Sequence, residues 1–273
     1  MTEEHFSRCA AAIEQADSLL ITAGAGMGVD SGLPDFRGRE GFWRAYPALA
    51  RAGLDFAEVA SPHTFHTDPR LAWGFYGHRL NLYRATLPHR GFALLQEFAR
   101  FMEHGACVFT SNVDGQFQKA GFAESRVAEC HGSIHHLQCL GDCEGKIWPA
   151  AGFAPQVDED ACRLLSELPP CPACGGLARP NILMFGDGNW QEARAGAQEA
   201  RLASWLARVK RLVIIEIGAG KAIPTVRHFG EFQDGFFIRI NLRDPNLPKG
   251  RRGVSLPMAG LEALSGIAAA LGM

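Results

Sequence analysis

A short apolar run, Leu19-Leu20-Ile21, gives way within three residues to Gly24-Ala25-Gly26-Met27-Gly28. A strand that ends in a glycine turn is where α/β proteins place phosphate sites, because small residues let backbone N–H groups approach an anion. Read by itself, the turn either holds such a ligand or is a tight strand-to-helix connection with none. Around it the periodicities alternate. Phe6, Cys9, Ala10 and Ile13 form a helical stripe before the strand, and Phe92, Leu95, Phe98, Ala99 and Met102 form another. Strand-like runs follow at Ala106–Thr110 and Arg126–Cys130. Leu202, Trp205, Leu206 and Val209 mark a helix, Leu212–Ile217 and Phe236–Ile240 two strong strands, and Leu261, Leu264, Ala268 and Leu271 a closing helix. This alternation predicts an α/β fold, a doubly wound, Rossmann-like parallel sheet covered on both faces.

Two stretches break the pattern. Residues 36–88 carry prolines at 47, 62, 69 and 88 and read as irregular, and residues 139–179 hold close cysteine pairs. The expected division is a large Rossmann-like domain of residues 1–36, 89–138 and 180–273, and a smaller helical and zinc-binding insert of residues 37–88 and 139–179. A length of 273 residues accommodates one large or two intertwined domains. Twenty-seven basic against 29 acidic side chains leave a net charge of −2, so no bulk attraction to nucleic acid or a membrane surface is expected. No apolar run approaches a membrane span, and Met-Thr-Glu-Glu-His-Phe-Ser-Arg lacks the basic and apolar start of a secretory signal. A cytosolic location is expected.

Eight cysteines in such a chain do not suggest a disulfide framework. Cys139 and Cys143 form C-x3-C and Cys171 and Cys174 form C-x2-C, with Pro170 and Gly175-Gly176 to supply tight turns. Four thiolates complete a tetrahedral zinc shell with no open position, which predicts a structural metal. Cys162, between the pairs, reads as a free thiol.

The glycine turn runs on into Val29-Asp30-Ser31-Gly32-Leu33-Pro34-Asp35-Phe36-Arg37-Gly38, with Gly41-Phe42-Trp43 after it. The stretch resembles the first cofactor motif of the sirtuins, G-A-G-x-S-x-x-S-G-I-P-D-F-R-G. Thr110-Ser111-Asn112-Val113-Asp114-Gly115 resembles that family's T-Q-N-I-D-G, and Glu129-Cys130-His131-Gly132-Ser133 its E-L-H-G-S. Arg179-Pro180-Asn181-Ile182-Leu183-Met184-Phe185-Gly186-Asp187 is similar to R-P-x-V-V-x-F-G-E. Ile217-Gly218-Ala219-Gly220 stands where the family has G-T-S, and Ile240-Asn241 matches its I-N.

The resemblance implies an NAD-dependent protein-lysine deacylase, a deacetylase or desuccinylase, that releases nicotinamide and O-acyl-ADP-ribose. Its implied partners are NAD and an acyl-lysine protein or peptide. His131 becomes the general base, since an imidazole accepts a proton near neutrality. Asn112 and Asp114 would hold nicotinamide; an amide and a carboxylate together suit a carboxamide. Gly24, Ala25, Gly26, Asp35, Phe36, Arg37, Trp43, Ser111, Gly218, Ala219 and Asn241 would complete the cofactor site. Met184, Phe185 and Gly186 would lie beside the substrate, which such a segment can pair as an added strand. Tyr76 and Arg79 form Y-x-x-R, similar to sirtuins that accept acidic acyl groups, because a guanidinium and a phenol can bind a carboxylate together. His135 and His136 read as ordinary. Gly28, Ser111, Phe117, Ala219 and Gly220 depart from the family pattern, each as the loss of a polar group near the cofactor. Those losses leave two other readings open: an NAD glycohydrolase or ADP-ribosyltransferase, and a non-catalytic NAD or ADP-ribose sensor.

Overall fold

The computed structural model describes the chain apart from residues 1, 35–37, 142, 144 and 145. Eight strands carry the architecture: β1 (Ser18–Ala23), β2 (Ala106–Thr110), β3 (Val127–Glu129), β4 (Gly132–Cys139), β5 (Ala178–Ile182), β6 (Leu212–Ile217), β7 (Phe236–Ile240) and β8 (Gly253–Leu256). Six of them form one parallel sheet in the order β8-β7-β6-β1-β2-β3. The chain moves outward from β1 to β3, returns to lay β6 against the other side of β1, and moves outward again. The direction of winding therefore reverses between β1 and β6, where open α/β sheets leave a crevice at the carboxyl ends of the strands.

Every residue of β1 and β6 is buried, as expected for central strands covered on both faces. Side chains alternate between two cores with the period of two that a pleated strand imposes. Leu19 and Ile21 face one core with Ile13, Leu95 and Leu264. These come from helices α1 (Thr2–Gln15), α3 (Arg90–Phe98) and α6 (Gly260–Ala270). Leu20 faces the other with Leu202, Trp205 and Val226, from α4 (Ala193–Leu206) and α5 (Thr225–Phe232). Met102 and Val209, expected inside helices, lie just beyond their ends.

Residues 38–88 are largely helical although their apolar pattern reads as irregular. Short helices at Gly38–Ala45, Pro47–Arg51, Phe56–Val59 and Pro62–Thr67 lead into the 17-residue α2 (Pro69–Ala85). Pro47, Pro62 and Pro69 stand in the first turns of their helices, where a missing N–H costs nothing, so they start helices. Asp55 closes a capping box with Glu58, and the Ser61 and Asp68 side chains cap the next two helices. Helix α2 buries Trp73, Phe75, Tyr76, Arg79, Leu80 and Tyr83, too much of its circumference to leave one apolar stripe. A third core joins this helical region to Val113, Ile134, Leu137, Ile182 and Met184.

Strands β4 and β5 pair antiparallel with an irregularity: Ser133 faces Asn181 and Leu137 faces Pro180, so residues 134–136 bulge away from β5.

Candidate active site

The turns that follow β1 and β6 meet backbone to backbone. Gly24 N–H donates to Ile217 O (3.0 Å) and Gly26 N–H to Gly218 O (3.2 Å). A Cβ on Gly24 would stand 2.7 Å from Gly218 O, and one on Gly218, whose φ is +62°, would stand 2.3 Å from Gly26 Cα. Only glycine permits this approach. Asn241, after β7, braces the same wall: its Nδ2 donates to Ala219 O (2.9 Å), and its Oδ1 accepts the N–H groups of Arg243 and Asp244 at 3.0 Å each.

The crevice opens into a cavity of about 900 Å³, within the range of small-molecule sites. Gly24, Ala25, Ser111, Asn112, Asp114, His131, Ala219 and Gly220 line it, and so do Tyr76, Arg79, Met184 and Phe185. Sequence motifs separated by up to about 200 positions thus converge on one space. Gly26, Gly218 and Asn241 shape its wall from behind and are not among its described lining residues.

The loop after β2 is held from both sides. Thr110 Oγ1 donates to Ala23 O (2.8 Å) and accepts Asn112 N–H (3.0 Å), while Asn112 Nδ2 donates to Gly24 O (3.1 Å). From the β4 bulge, Ile134 N–H donates to Val113 O (3.0 Å) and His135 Nε2–H to Asp114 O (2.9 Å). His135 is thus a positioning residue for the Asn112–Asp114 loop; it lies within the bulge, and no sequence signal marked it. Burial pushes the Asp114 carboxyl up to about 6, against the pull of the Gln116 N–H it accepts. Burial also lowers the His131 imidazole, so it is neutral and able to take a proton. His131 stands between the end of β3 and the start of β4, and its carbonyl accepts Leu183 N–H (3.0 Å).

Helix α2 presents Tyr76 and Arg79 one turn apart, both facing the cavity. Arg79 donates through Nε (3.0 Å) and Nη2 (2.8 Å) to Tyr83 Oη. Its guanidinium carbon lies 5.2–5.7 Å from the ring centres of Phe75, Tyr76 and Tyr83. The segment after β5 is pinned by a buried ion pair: Arg179 binds both Asp187 oxygens (2.7 and 2.8 Å), and Asp187 accepts Met184 N–H (3.2 Å). Phe185 N–H donates to Ala60 O (3.0 Å), which fixes the cavity rim. Gly186, with φ +66°, makes the turn and does not itself line the cavity.

Other expected residues lie elsewhere. Trp43 donates its indole N–H to Leu54 O (2.7 Å) and packs against the helical core, outside the described cavity lining. Phe117 is buried beside Phe92 and Phe122 in the core under the sheet, so its place in the pattern says nothing about the cofactor. Gly28 is buried behind Leu33, which lines the cavity, and is not itself among the described lining residues. Asp35, Phe36 and Arg37 lie outside the described residues.

The Sγ atoms of Cys139, Cys143, Cys171 and Cys174 all lie within 4.8 Å of one another, with Cys139–Cys174 and Cys143–Cys171 at 3.7 Å. A tetrahedron with Zn–S bonds of about 2.3 Å has edges of about 3.8 Å. Donor set and spacing therefore fit structural zinc. Cys162 is buried in the helical core, where burial pushes its thiol up to about 12.

A Pyrococcus furiosus protein named NAD-dependent protein deacylase is 29% identical over 232 residues, 84% of each chain. NAD-dependent protein deacylase sirtuin-5, mitochondrial, from Danio rerio is 33% identical over 198 residues, 67% of this chain and 59% of that one. A solved Sir2 homolog–NAD complex superposes with a TM-score of 0.71 at 24% identity, over 96% of this chain and 93% of the other, and shares the fold. The profile of the Sir2 family matches residues 24–207. Because that span runs from the glycine turn, through the Asn112 loop, His131 and the four cysteines, to the end of α4, the chain belongs to the Sir2 family.

Proposed function

We propose that the chain is an NAD-dependent protein-lysine deacylase that favours acidic acyl groups such as succinyl. The observation that carries this reading is one cavity shared by the Asn112–Asp114 loop and His131 with Tyr76 and Arg79. The close-packed glycine turns suit a dinucleotide, which when bound supplies a ribose carbon activated by its nicotinamide leaving group. With Nδ2 committed to Gly24 O, Asn112 retains Oδ1 as an acceptor for the carboxamide. Ionised Asp114 adds a carboxylate acceptor. The neutral His131 imidazole would accept the proton of a ribose hydroxyl. Phe185 and Leu183, both about 40% exposed, offer apolar rim surface to the peptide. Arg79 and Tyr76 receive the distal carboxylate of the acyl chain, a contact that favours succinyl-lysine over acetyl-lysine by about ten- to a hundredfold.

Incubation with NAD and acetyl- or succinyl-lysine peptides, with products identified by mass, tests the reading. Nicotinamide, free lysine and O-acyl-ADP-ribose are expected. His131→Ala should lower turnover by about 10²–10⁴-fold while NAD affinity stays within a few-fold. ADP-ribose formed equally well without peptide would make the chain a glycohydrolase instead.

A further inference from the structure

Tyr83 lies outside the Y-x-x-R pair and belongs to no motif, yet it lines the same cavity and bonds Arg79 there. Tyr76, Arg79 and Tyr83 are 1%, 7% and 6% exposed, and all three line the cavity. The Tyr83 oxygen accepts both Nε–H and Nη2–H of Arg79, which leaves its own O–H proton to donate elsewhere. Among the described residues that proton meets no acceptor, and the Tyr76 hydroxyl makes no hydrogen bond either. Burial raises both phenols above their ordinary value, so they stay protonated donors. This part of the cavity is therefore lined by two phenolic O–H groups and a guanidinium. A carboxylate offers about four acceptor positions and can take all of them.

We infer that Tyr83 is a specificity-determining residue for acidic acyl groups. Its oxygen clamps one edge of the Arg79 guanidinium, and its O–H supplies a donor to the acyl carboxylate beside those of Tyr76 and Arg79. This inference rests on the acidic-acyl reading. An ammonium could not fork onto one oxygen in this way.

The test compares wild type, Tyr83→Phe, Arg79→Met, the double variant and Arg79→Lys. The readouts are KM and kcat on succinyl- and acetyl-lysine peptides at saturating NAD, and calorimetric binding of the succinyl peptide without NAD. Tyr83→Phe keeps the ring stacked on Arg79 and removes only the oxygen. It should raise the succinyl KM relative to the acetyl KM by about tenfold and weaken succinyl-peptide binding equally, with the effect in KM and not in kcat. In the Arg79→Met background the same change should do much less, because the two residues act as one unit. Arg79→Lys should lose most of the succinyl preference although it keeps the charge, which decides the matter even if Tyr83→Phe does not fold. Should Arg79→Met abolish a succinyl preference that Tyr83→Phe leaves intact, the inference about Tyr83 fails and the acidic-acyl reading stands. A preference retained by Arg79→Lys would likewise overturn the role of Tyr83 and leave that reading in place. If wild type shows no succinyl preference and Arg79→Met alters neither substrate, the acidic-acyl reading fails, and the inference with it.

Discussion

Gly132, the residue after His131, allows the coupling of backbone and site to be measured. Its φ is +79°, and an added Cβ would stand 2.1 Å from Asn181 O and 3.2 Å from Ile182 Cα, both backbone atoms of β5. Gly132→Ala therefore carries two costs. The left-handed backbone costs a non-glycine residue about 1–2 kcal/mol. Pushing β5 away costs about 1–3 kcal/mol more, as overpacking does in other cores. Gly186→Ala isolates the first cost: φ is +66° there and nothing lies within 4 Å of the added Cβ. The loss of unfolded-chain freedom when glycine becomes alanine is common to both variants and cancels between them. Urea unfolding of the zinc-loaded protein, followed by tryptophan fluorescence, should show Gly186→Ala destabilised by about 1 kcal/mol and Gly132→Ala by at least about 1 kcal/mol more. Turnover of Gly132→Ala should fall as well, since the displaced backbone adjoins His131. Equal losses in the two variants would refute the reasoning, because they would mean that β5 yields to the new methyl group without resistance.

Two further outcomes are expected. Cys171→Ser should abolish stoichiometric zinc by metal analysis and lower the unfolding temperature, since metal binding there is folding free energy; unchanged zinc content would contradict the assignment. Asp114 titrates near 6 when folded and near 3.8 when unfolded, so between those pH values the folded state holds a proton the unfolded state has lost. Its contribution to stability therefore declines as pH rises through that window. Asp114→Asn should gain on wild type from pH 4 to pH 7, by up to about 3 kcal/mol, and an advantage that does not grow with pH in denaturant titrations would count against it.

The sheet could be read from the sequence because its strands are buried on both faces and so appear as unbroken apolar runs. Leu212–Ile217, Phe236–Ile240 and Ala106–Thr110 are strands over those very residues. The family motifs were readable because each lies at a strand end, where the fold itself gathers them. Helix α2 was not, since burial on most sides erases the periodicity that announces a surface helix. Proline misleads as a breaker because its effect depends on whether it stands in a first turn or an interior. His135 and Tyr83 lay beyond sequence reasoning for a different reason. One is turned by a strand irregularity and the other is defined by a partner four residues back on a helix whose period is hidden.

Strand β4 begins one residue after His131 and ends on Cys139, while its partner β5 starts four residues after Cys174 and ends at Ile182, opposite Gly132. The four thiols and the imidazole thus terminate a single antiparallel ribbon. A slip of one residue along it would turn every side chain to the opposite face. The cysteine cluster acts as a stop that fixes register from the far end, and the irregularity at residues 134–136 gives the ribbon one place to yield. The glycine crevice hangs instead on β1 and β6, which share no ladder with that ribbon. Chelation should consequently disengage the histidine and loosen the Asn112–Asp114 loop that the bulge braces, while the glycine turns on β1 and β6 stay folded.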